Sequence, residues 1–184
     1  MNFLKTRELE LKDAEYMLEW MKDEGTKKVF KFNFNNMTLQ DTQNFIINSR
    51  EDNTNCHLAV VDENDEYLGT VSLKNIDYEN MNAEYAISLR KKAFGKGASS
   101  LATSEILKKA FYDLGLKRVY LNVLSDNLRA ISFYEKFGFI YEGEFKEHIF
   151  INNTLKNIKW YRMMKQEYEN KMLTNCQSGG GRII

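Results

Sequence analysis

The chain has 184 residues, enough for one well-buried domain and too few for two of ordinary size. Its 26 basic and 26 acidic residues cancel, which argues against nucleic acid or an anionic membrane as a partner. No apolar run approaches the roughly 20 residues of a transmembrane helix. Charged residues interrupt the N-terminus where a signal peptide would have its apolar core, so we expect a cytoplasmic protein.

The first half of the chain alternates helix-like and strand-like patterns. Thr38-Leu39-Gln40-Asp41 has the form of a capping box, which marks the start of a helix. Residues 63–66 are polar and separate two apolar runs, which predicts a hairpin. The predicted elements are, in order, a strand over 2–9, helices from Asp13 to Gly25 and after Thr38, and strands over 56–62, 67–76 and 83–90.

The second half continues with a helix over 98–114, a strand over 117–124, a helix closed by Gly138, and strands over 139–150 and 155–165. The strand–helix–strand unit over 83–124 implies a parallel pair with a right-handed crossover, while the hairpins imply antiparallel neighbours. We therefore predict an α/β fold with a mixed sheet and helices on both faces. Residues 1–167 form its single domain, and residues 168–184 are expected to be a flexible tail.

Metal and disulfide chemistry find little support in the composition. Cys56 and Cys176 are too few for a disulfide framework or a zinc site. His57 and His148 are the only histidines, so a histidine-rich metal centre is excluded, and we expect no metal cofactor.

The stretch from Lys92 to Ala98 predicts a cradle for phosphates. Gly95 and Gly97 allow the tight turn that points successive N–H groups at one anion. The helix that begins near Ala98 adds the positive end of its dipole, and Lys92 and Lys96 add mobile charge. Alone the pattern is common, but a second motif follows at 127–139.

With both motifs, the chain resembles the GNAT superfamily of acetyl-coenzyme A-dependent N-acetyltransferases. The family loop Gln/Arg-x-x-Gly-x-Gly/Ala reads here Lys92-Ala93-Phe94-Gly95-Lys96-Gly97, with a conservative departure at its first position. The family motif Asn-x-x-Ala-x-x-x-Tyr-x-x-x-Gly-Phe is intact from Asn127 to Phe139. The segments 142–150 and 159–163 resemble the branch of ribosomal-protein N-terminal and bacterial amino-sugar acetyltransferases.

The resemblance implies a GNAT fold, in which a mostly antiparallel sheet splays between two central parallel strands. It implies that acetyl-coenzyme A is the cosubstrate and that backbone groups near Ile87, Ser88 and Leu89 bind its pantetheine arm, one N–H polarising the thioester. The plain alternative is that Ile87 and Leu89 are only core residues. The expected coenzyme-binding residues are Ile87, Ser88, Leu89, Lys92, Phe94, Gly95, Lys96, Gly97, Ala98 and Asn127.

The resemblance also implies that Tyr134 protonates the leaving thiolate. The alternative is a core aromatic on an amphipathic helix, and both can hold, because a tyrosine can bury its ring and keep its hydroxyl in a cleft. Asn127 either binds the pantetheine arm or caps the helix. Arg129 and Lys136 could contact the adenosine 3′-phosphate, although charges on an exposed helix are usually solvated.

Glu84 is the candidate base, since many family members carry a glutamate on this strand. The alternative is a solvated or salt-bridged carboxylate at a sheet end. His148 is a rival base, because histidine titrates in the useful range, but it more plausibly lines the acceptor pocket. The aromatic residues Trp20, Phe30, Phe32 and Phe34 either shape the acceptor pocket or belong to the core.

We therefore interpret the chain as an acyltransferase in which a primary amine attacks acetyl-coenzyme A directly in a ternary complex. No cysteine is placed to carry a covalent acetyl group. The leading acceptors are a protein N-terminus and an amino sugar, either free or nucleotide-linked, ahead of polyamines and antibiotics. The alternative is a non-catalytic coenzyme A-binding sensor or partner protein. A monomer or homodimer is expected.

Overall fold

The structure is a computed structural model that describes residues 3–23, 34–151 and 153–178, the last five of them by backbone alone. Seven strands form one sheet: β1 Lys5–Glu8, β2 Cys56–Val61, β3 Tyr67–Asp77, β4 Asn82–Leu89, β5 Arg118–Leu124, β6 Ile140–Ile151 and β7 Thr154–Met164. Their spatial order is β1-β2-β3-β4-β5-β7-β6. Neighbours are antiparallel except β4 and β5, which are parallel, so the predicted mixed sheet is confirmed.

The described α-helices are α1 Ala14–Lys22, α2 Leu39–Asn48, α3 Ala98–Lys108, α4 Leu128–Phe137 and α5 Lys165–Ser178. The predicted capping box at the start of α2 is confirmed. The Thr38 hydroxyl accepts from the N–H of Asp41 at 3.2 Å, and the Asp41 carboxylate accepts from the N–H of Thr38 at 2.9 Å. These reciprocal bonds satisfy two backbone donors, which explains why the helix begins there.

The helices cover both faces of the sheet, and alternation along β2 shows how. Val60 belongs to the large core cluster shared with α3 and α4. Ala59 and Val61 point to the opposite face and pack with α1 and with Ile46 of α2. Because successive strand residues face opposite ways, one strand serves both layers. The predicted placement of helices on both faces is confirmed.

Some elements differ from their predicted bounds. The first strand is shorter than 2–9, and α3 gives way to a π-helical turn at Lys109–Asp113 before Gly115, whose φ of 68° suits glycine. Gly25, the predicted end of the first helix, lies outside the described residues. The described helices include none long and apolar enough to cross a bilayer.

The largest difference lies at the C-terminal end. Residues 168–178, predicted as the start of a flexible tail, belong to α5. Tyr168 is 4% exposed and its ring lies 5.3 Å from that of Phe111. Burial of Tyr168, with the partly buried Met172 one turn later, holds the helix against the core. Two apolar contacts in a mostly polar segment are a weak periodic signal. Residues 179–184 lie outside the described part of the chain.

Candidate active site

The two central strands β4 and β5 are paired at one end only. Parallel pairing runs from Asn82 opposite Arg118 to Glu84 opposite Tyr120 and stops there. Beyond this point β4 stays bonded to β3, and β5 to β7, so the strands part while each keeps its outer neighbour. Within the described residues, the facing edges of the parted halves have no strand partner. The predicted splay is confirmed, and it leaves backbone donors and acceptors available to a ligand.

The parted strands open into a cleft of about 800 Å³. Its walls come from the last turn of α1, the open half of β4, the end of β5 and the first two turns of α4. This volume falls in the range of roughly 300–1,000 Å³ that small-molecule sites occupy. Of the residues predicted from sequence, the cleft brings together Glu84, Ile87, Ser88, Leu89, Phe94, Asn127 and Tyr134.

The other predicted coenzyme-binding residues form the loop that joins Phe94 to α3. Gly95 and Gly97 have φ of 76° and 80°, a region that costs other residues free energy. The first bond of the helix runs from the N–H of Leu101 to the carbonyl of Gly97 at 3.0 Å. Backbone N–H groups without an acceptor among the described residues are those of Gly95, Gly97, Ala98, Ser99 and Ser100. This row of donors at a helix N-terminus fits the pyrophosphate of coenzyme A.

The two lysines of this loop differ in their contacts. The Lys92 ammonium lies 2.5 Å from a carboxylate oxygen of Glu66, and Lys92 is not among the residues that line the cleft. Lys96 is exposed and forms no ion pair with a described residue. The predicted anion cradle therefore depends on backbone groups, and Lys96 is the lysine of the loop without an ion pair to a described residue.

Tyr134 enters the cleft from α4. Its ring packs edge-on against Tyr85 at 6.1 Å and Phe139 at 5.8 Å, and the residue is 8% exposed. Burial raises the pKa of its phenol to about 12, so the hydroxyl is protonated at neutral pH. The hydroxyl forms no hydrogen bond with a described residue. Tyr134 is therefore both a core aromatic and a proton donor available to a ligand.

Asn127 caps α4, and its contact with the pantetheine arm stays a prediction. Its Oδ1 accepts from the N–H of Ala130 at 3.2 Å and caps α4. Its Nδ2 has no partner among the described residues, and the residue lines the cleft. The cap fixes the side chain, so the amide N–H₂ can donate to a bound molecule without a large loss of rotamer freedom.

Glu84 stands where β4 and β5 begin to part. Its Oε1 accepts from Nζ of Lys74 at 3.1 Å and from Nδ2 of Asn122 at 3.2 Å. Its Oε2 accepts from Nδ2 of Asn75 at 3.3 Å. The side chain is 18% exposed, on the face of β4 opposite to Tyr85. Three donors from two strands thus orient a carboxylate at the opening of the cleft.

Residues 4–140 match the family model of the acetyltransferase (GNAT) domain. The chain belongs to the GNAT family. It is an N-acetyltransferase that takes its acetyl group from acetyl-coenzyme A and acts on an amine. The splayed strands and the donor-rich loop described above are the parts of this GNAT domain that fit the coenzyme.

Several GNAT relatives are similar in sequence. A spermidine N(1)-acetyltransferase of Vibrio cholerae is 31% identical over 120 residues, which cover 65% of this chain and 69% of the relative. An uncharacterized N-acetyltransferase, p20, of Bacillus licheniformis is 29% identical over 168 residues, 90% of this chain and 94% of the relative. The putative ribosomal N-acetyltransferase YdaF of Bacillus subtilis is 30% identical over 101 residues, 55% of each chain.

Solved structures of GNAT enzymes agree with this fold. The spermidine N-acetyltransferase of Vibrio cholerae in complex with CoA and spermine superposes with a TM-score of 0.84 at 25% identity, covering 91% of this chain and 98% of that one. A dodecameric structure of the same enzyme in an intermediate state gives a TM-score of 0.77, also at 25% identity, with coverage of 91% and 97%.

Other predicted residues of this GNAT domain lie outside the centre of the site. His148 is exposed on β6, stacks edge-on with Phe145 at 5.1 Å and does not line the cleft. Trp20 and Phe34 are each 8% exposed and pack edge-to-face at 5.4 Å, so both are core residues, although Trp20 also borders the cleft. Phe30 and Phe32 lie outside the described residues.

Sequence reasoning missed the groups that hold Glu84 in place. Asn122 sits in the apolar strand β5, where its polar side chain breaks the run of Val and Leu and could have signalled a buried hydrogen bond. Lys74 had no such signal. Arg129, predicted to be near the coenzyme, lies with its guanidinium 3.6 Å from the ring centre of Phe94, and both line the cleft. Lys136 is exposed and does not line it.

Proposed function

We propose that this enzyme transfers the acetyl group directly from acetyl-coenzyme A to a primary amine, with Glu84 as the base and Tyr134 as the acid. One observation carries the proposal. Both residues line the same cleft, which the parting of β4 and β5 creates. A carboxylate that accepts hydrogen bonds and a phenol that has a proton to donate are the two partners that aminolysis of a thioester needs.

In this reaction the amine nitrogen attacks the thioester carbonyl carbon, a C–N bond forms and the C–S bond breaks. Glu84 accepts the proton that the nitrogen loses, directly or through one water. Tyr134 gives its proton to the leaving thiolate, and the proton held by Glu84 returns to Tyr134 through solvent. The products are an acetamide and the free thiol of coenzyme A, so atoms and protons balance. The open edge of β4 supplies N–H groups for the carbonyl oxygen.

A covalent acetyl-cysteine route has less support. Cys56 lies on β2 and does not line the cleft, and burial raises the pKa of its thiol. A thiolate is the nucleophilic form of cysteine, so a raised pKa disfavours attack on the thioester. Direct transfer with both substrates bound is therefore the proposed route.

For the acceptor we propose an amine that carries no large excess of positive charge, such as an amino sugar or a protein N-terminus. The support is the balance of charge along the described cleft. Its carboxylates each face a cation: Glu19 with Arg90 at 2.7 Å, Asp23 with Lys91 at 2.7 Å and Glu84 with Lys74 at 3.1 Å. A polycation is held best by unpaired carboxylates, because like charges in the wall repel it.

Polyamines are the second candidate acceptors. The observation in their favour is the similarity to spermidine N-acetyltransferases in sequence and in structure. The two candidates differ in salt dependence, because a polycation drawn by carboxylates binds more weakly as ionic strength rises.

The test is release of free thiol from acetyl-coenzyme A with a panel of amines. The panel contains Ala- and Ser-terminated peptides, 4-amino sugars with and without a nucleotide, and spermidine. Turnover with an amino sugar or peptide supports the proposed acceptor, and turnover confined to spermidine contradicts it. Saturable coenzyme binding without turnover on any amine favours the non-catalytic alternative. Absence of coenzyme binding contradicts the whole proposal.

A further inference from the structure

Three consecutive basic residues, Arg90 to Lys92, lead into the glycine loop, and each is bound by a carboxylate from a distant part of the chain. Arg90 donates from Nη2 to both carboxylate oxygens of Glu19, at 2.9 and 2.7 Å. From Nη1 it donates to Glu66 at 2.7 Å and to the carbonyl of Tyr67 at 2.9 Å. One guanidinium thus joins α1, the β2–β3 turn and the end of β4.

The next two residues bind the same two regions, one residue to each. Lys91 bonds Asp23, which follows α1, at 2.7 Å. Lys92 bonds Glu66 in the β2–β3 turn at 2.5 Å. The basic triplet 90–92 therefore has one set of partners at the end of α1 and another in the turn between β2 and β3.

Arg90 is set apart from ordinary surface ion pairs by its burial. Its side chain is 10% exposed, and its guanidinium lies 4.6 Å from the ring centre of Tyr16. Exposed pairs contribute little, whereas a buried and fully hydrogen-bonded arginine fixes the geometry of its partners. Removal of Arg90 takes this partner from Glu19 and leaves Glu66 paired with Lys92 alone.

Two of the elements that Arg90 joins line the cleft, and the β2–β3 turn does not. Glu19 and Trp20 line it from α1 and Asp23 from just after that helix, while Arg90 and Phe94 line it where β4 passes into the glycine loop. Small displacements between bound reactants have large effects on rate, since the reacting atoms must lie about 3–3.5 Å apart. A hydrogen-bonded link between these two parts of the lining is therefore a means of setting that separation.

We propose that Arg90 is a positioning residue for acetyl transfer, holding the end of α1 to the loop that binds the coenzyme. Glu19 is the partner of Arg90 on the acceptor side, and Glu66 is its partner on the coenzyme side. The proposal rests on the proposed function, because it takes α1 to border the amine. It also accounts for the lysine at the first position of the family loop, whose ammonium supports the link through Glu66.

The test compares four variants with the unmodified enzyme. The readouts are KM for the amine, kcat, the dissociation constant of coenzyme A and the melting temperature. Glu19→Gln raises KM for the amine by roughly fivefold and leaves coenzyme binding within about twofold, because a neutral amide holds the guanidinium more weakly. Glu66→Gln weakens coenzyme binding by roughly fivefold and changes the amine KM less. Arg90→Met does both, and Arg90→Lys recovers part of each loss.

The matched control is Glu142→Gln, which weakens a comparable arginine–carboxylate pair with Arg118 that does not line the cleft. It is expected to leave both constants unchanged. A fall in melting temperature with unchanged constants in Glu19→Gln, Glu66→Gln and Arg90→Met would overturn the positioning role. If the unmodified enzyme acetylates no amine, the proposed function fails, while coenzyme binding by Arg90→Met still decides the link: unchanged affinity contradicts it.

Discussion

The two sides of the cleft are built in different ways. On the proposed coenzyme side, the groups available to a ligand are backbone atoms, namely the open edge of β4 and the N–H groups of Gly95 and of Gly97 to Ser100. On the acceptor side, Glu84 and Glu19 contribute charged side chains that partners on other elements hold in place. Substitutions should therefore act by altering backbone conformation on the first side and by altering charge or hydrogen bonding on the second.

The largest effect is expected for Tyr134→Phe. Tyr134 is the proposed proton donor to the leaving sulfur, where the two sides of the cleft meet. Loss of the proton donor should lower kcat by about 10²–10³-fold, within the range for general acids. The coenzyme dissociation constant and the melting temperature should stay nearly unchanged, because the hydroxyl has no described partner to lose. Single-turnover kinetics measures the rate of the chemical step, titration with coenzyme A measures the dissociation constant, and thermal unfolding measures the melting temperature. A variant with unaltered kcat would remove Tyr134 from the mechanism.

The pH profile offers a second check on Tyr134. Burial raises its pKa to about 12, so the neutral phenol persists well above pH 10, where half of an unperturbed tyrosine is ionised. The rate at saturating substrates should therefore show no alkaline fall assignable to this group up to pH 10. A fall centred near pH 10 that disappears in Tyr134→Phe would contradict the structural environment described for the ring.

Glu84→Gln should give the next largest loss. The amide keeps the shape of the side chain but cannot take a proton, and we expect kcat to drop by roughly 10²-fold at neutral pH. Coenzyme binding should not change, since Glu84 stands on the acceptor side. The matched control is Glu142→Gln, which makes the same chemical change away from the cleft. Equal losses in the two variants would contradict the role of Glu84 as base.

A backbone change on the coenzyme side should act on binding. Gly97→Ala places a Cβ where φ is 80°, in open space, so only conformational strain is added. The cost of about 1–2 kcal/mol per residue corresponds to roughly five- to thirtyfold weaker coenzyme binding if the loop relaxes and its donors turn away. Isothermal titration with coenzyme A measures it. Equal affinity would mean that the left-handed conformation is not needed for the bound state.

The smallest effect is expected for Lys92→Met, at less than about threefold in coenzyme affinity. Its ammonium forms an ion pair with Glu66, and partly exposed ion pairs contribute little to stability. Lys96→Met is the matched comparison, since Lys96 is free of ion pairs with described residues and should lose more. The reverse order would show that Lys92 leaves Glu66 when the coenzyme binds.

The same contrast explains what the sequence revealed. The glycine loop and the motif from Asn127 to Phe139 are local, so their chemistry can be read from adjacent residues, and the element order followed from periodicity and turns. Glu19 and Arg90 are separated by 71 positions, and Lys74, Asn122 and Glu84 meet only through strand register. Such pairings depend on the folded arrangement of the chain. The start of α5 was missed because only Tyr168 and Met172 hold a mostly polar segment against the core.

The half-paired strands β4 and β5 also have a thermodynamic consequence. A ligand that bridges their free edges binds only the folded chain, so occupancy and resistance to heat are linked. Coenzyme at 100 times its dissociation constant adds about 2.7 kcal/mol, or roughly 5–10 °C in melting temperature for a chain of this size. Amide hydrogens of β4 beyond Glu84 should at the same time exchange more slowly with deuterium. A coenzyme bound between the two strands would thus replace hydrogen bonds that the sheet lacks there, and part of the enzyme's free energy of unfolding would come from its substrate.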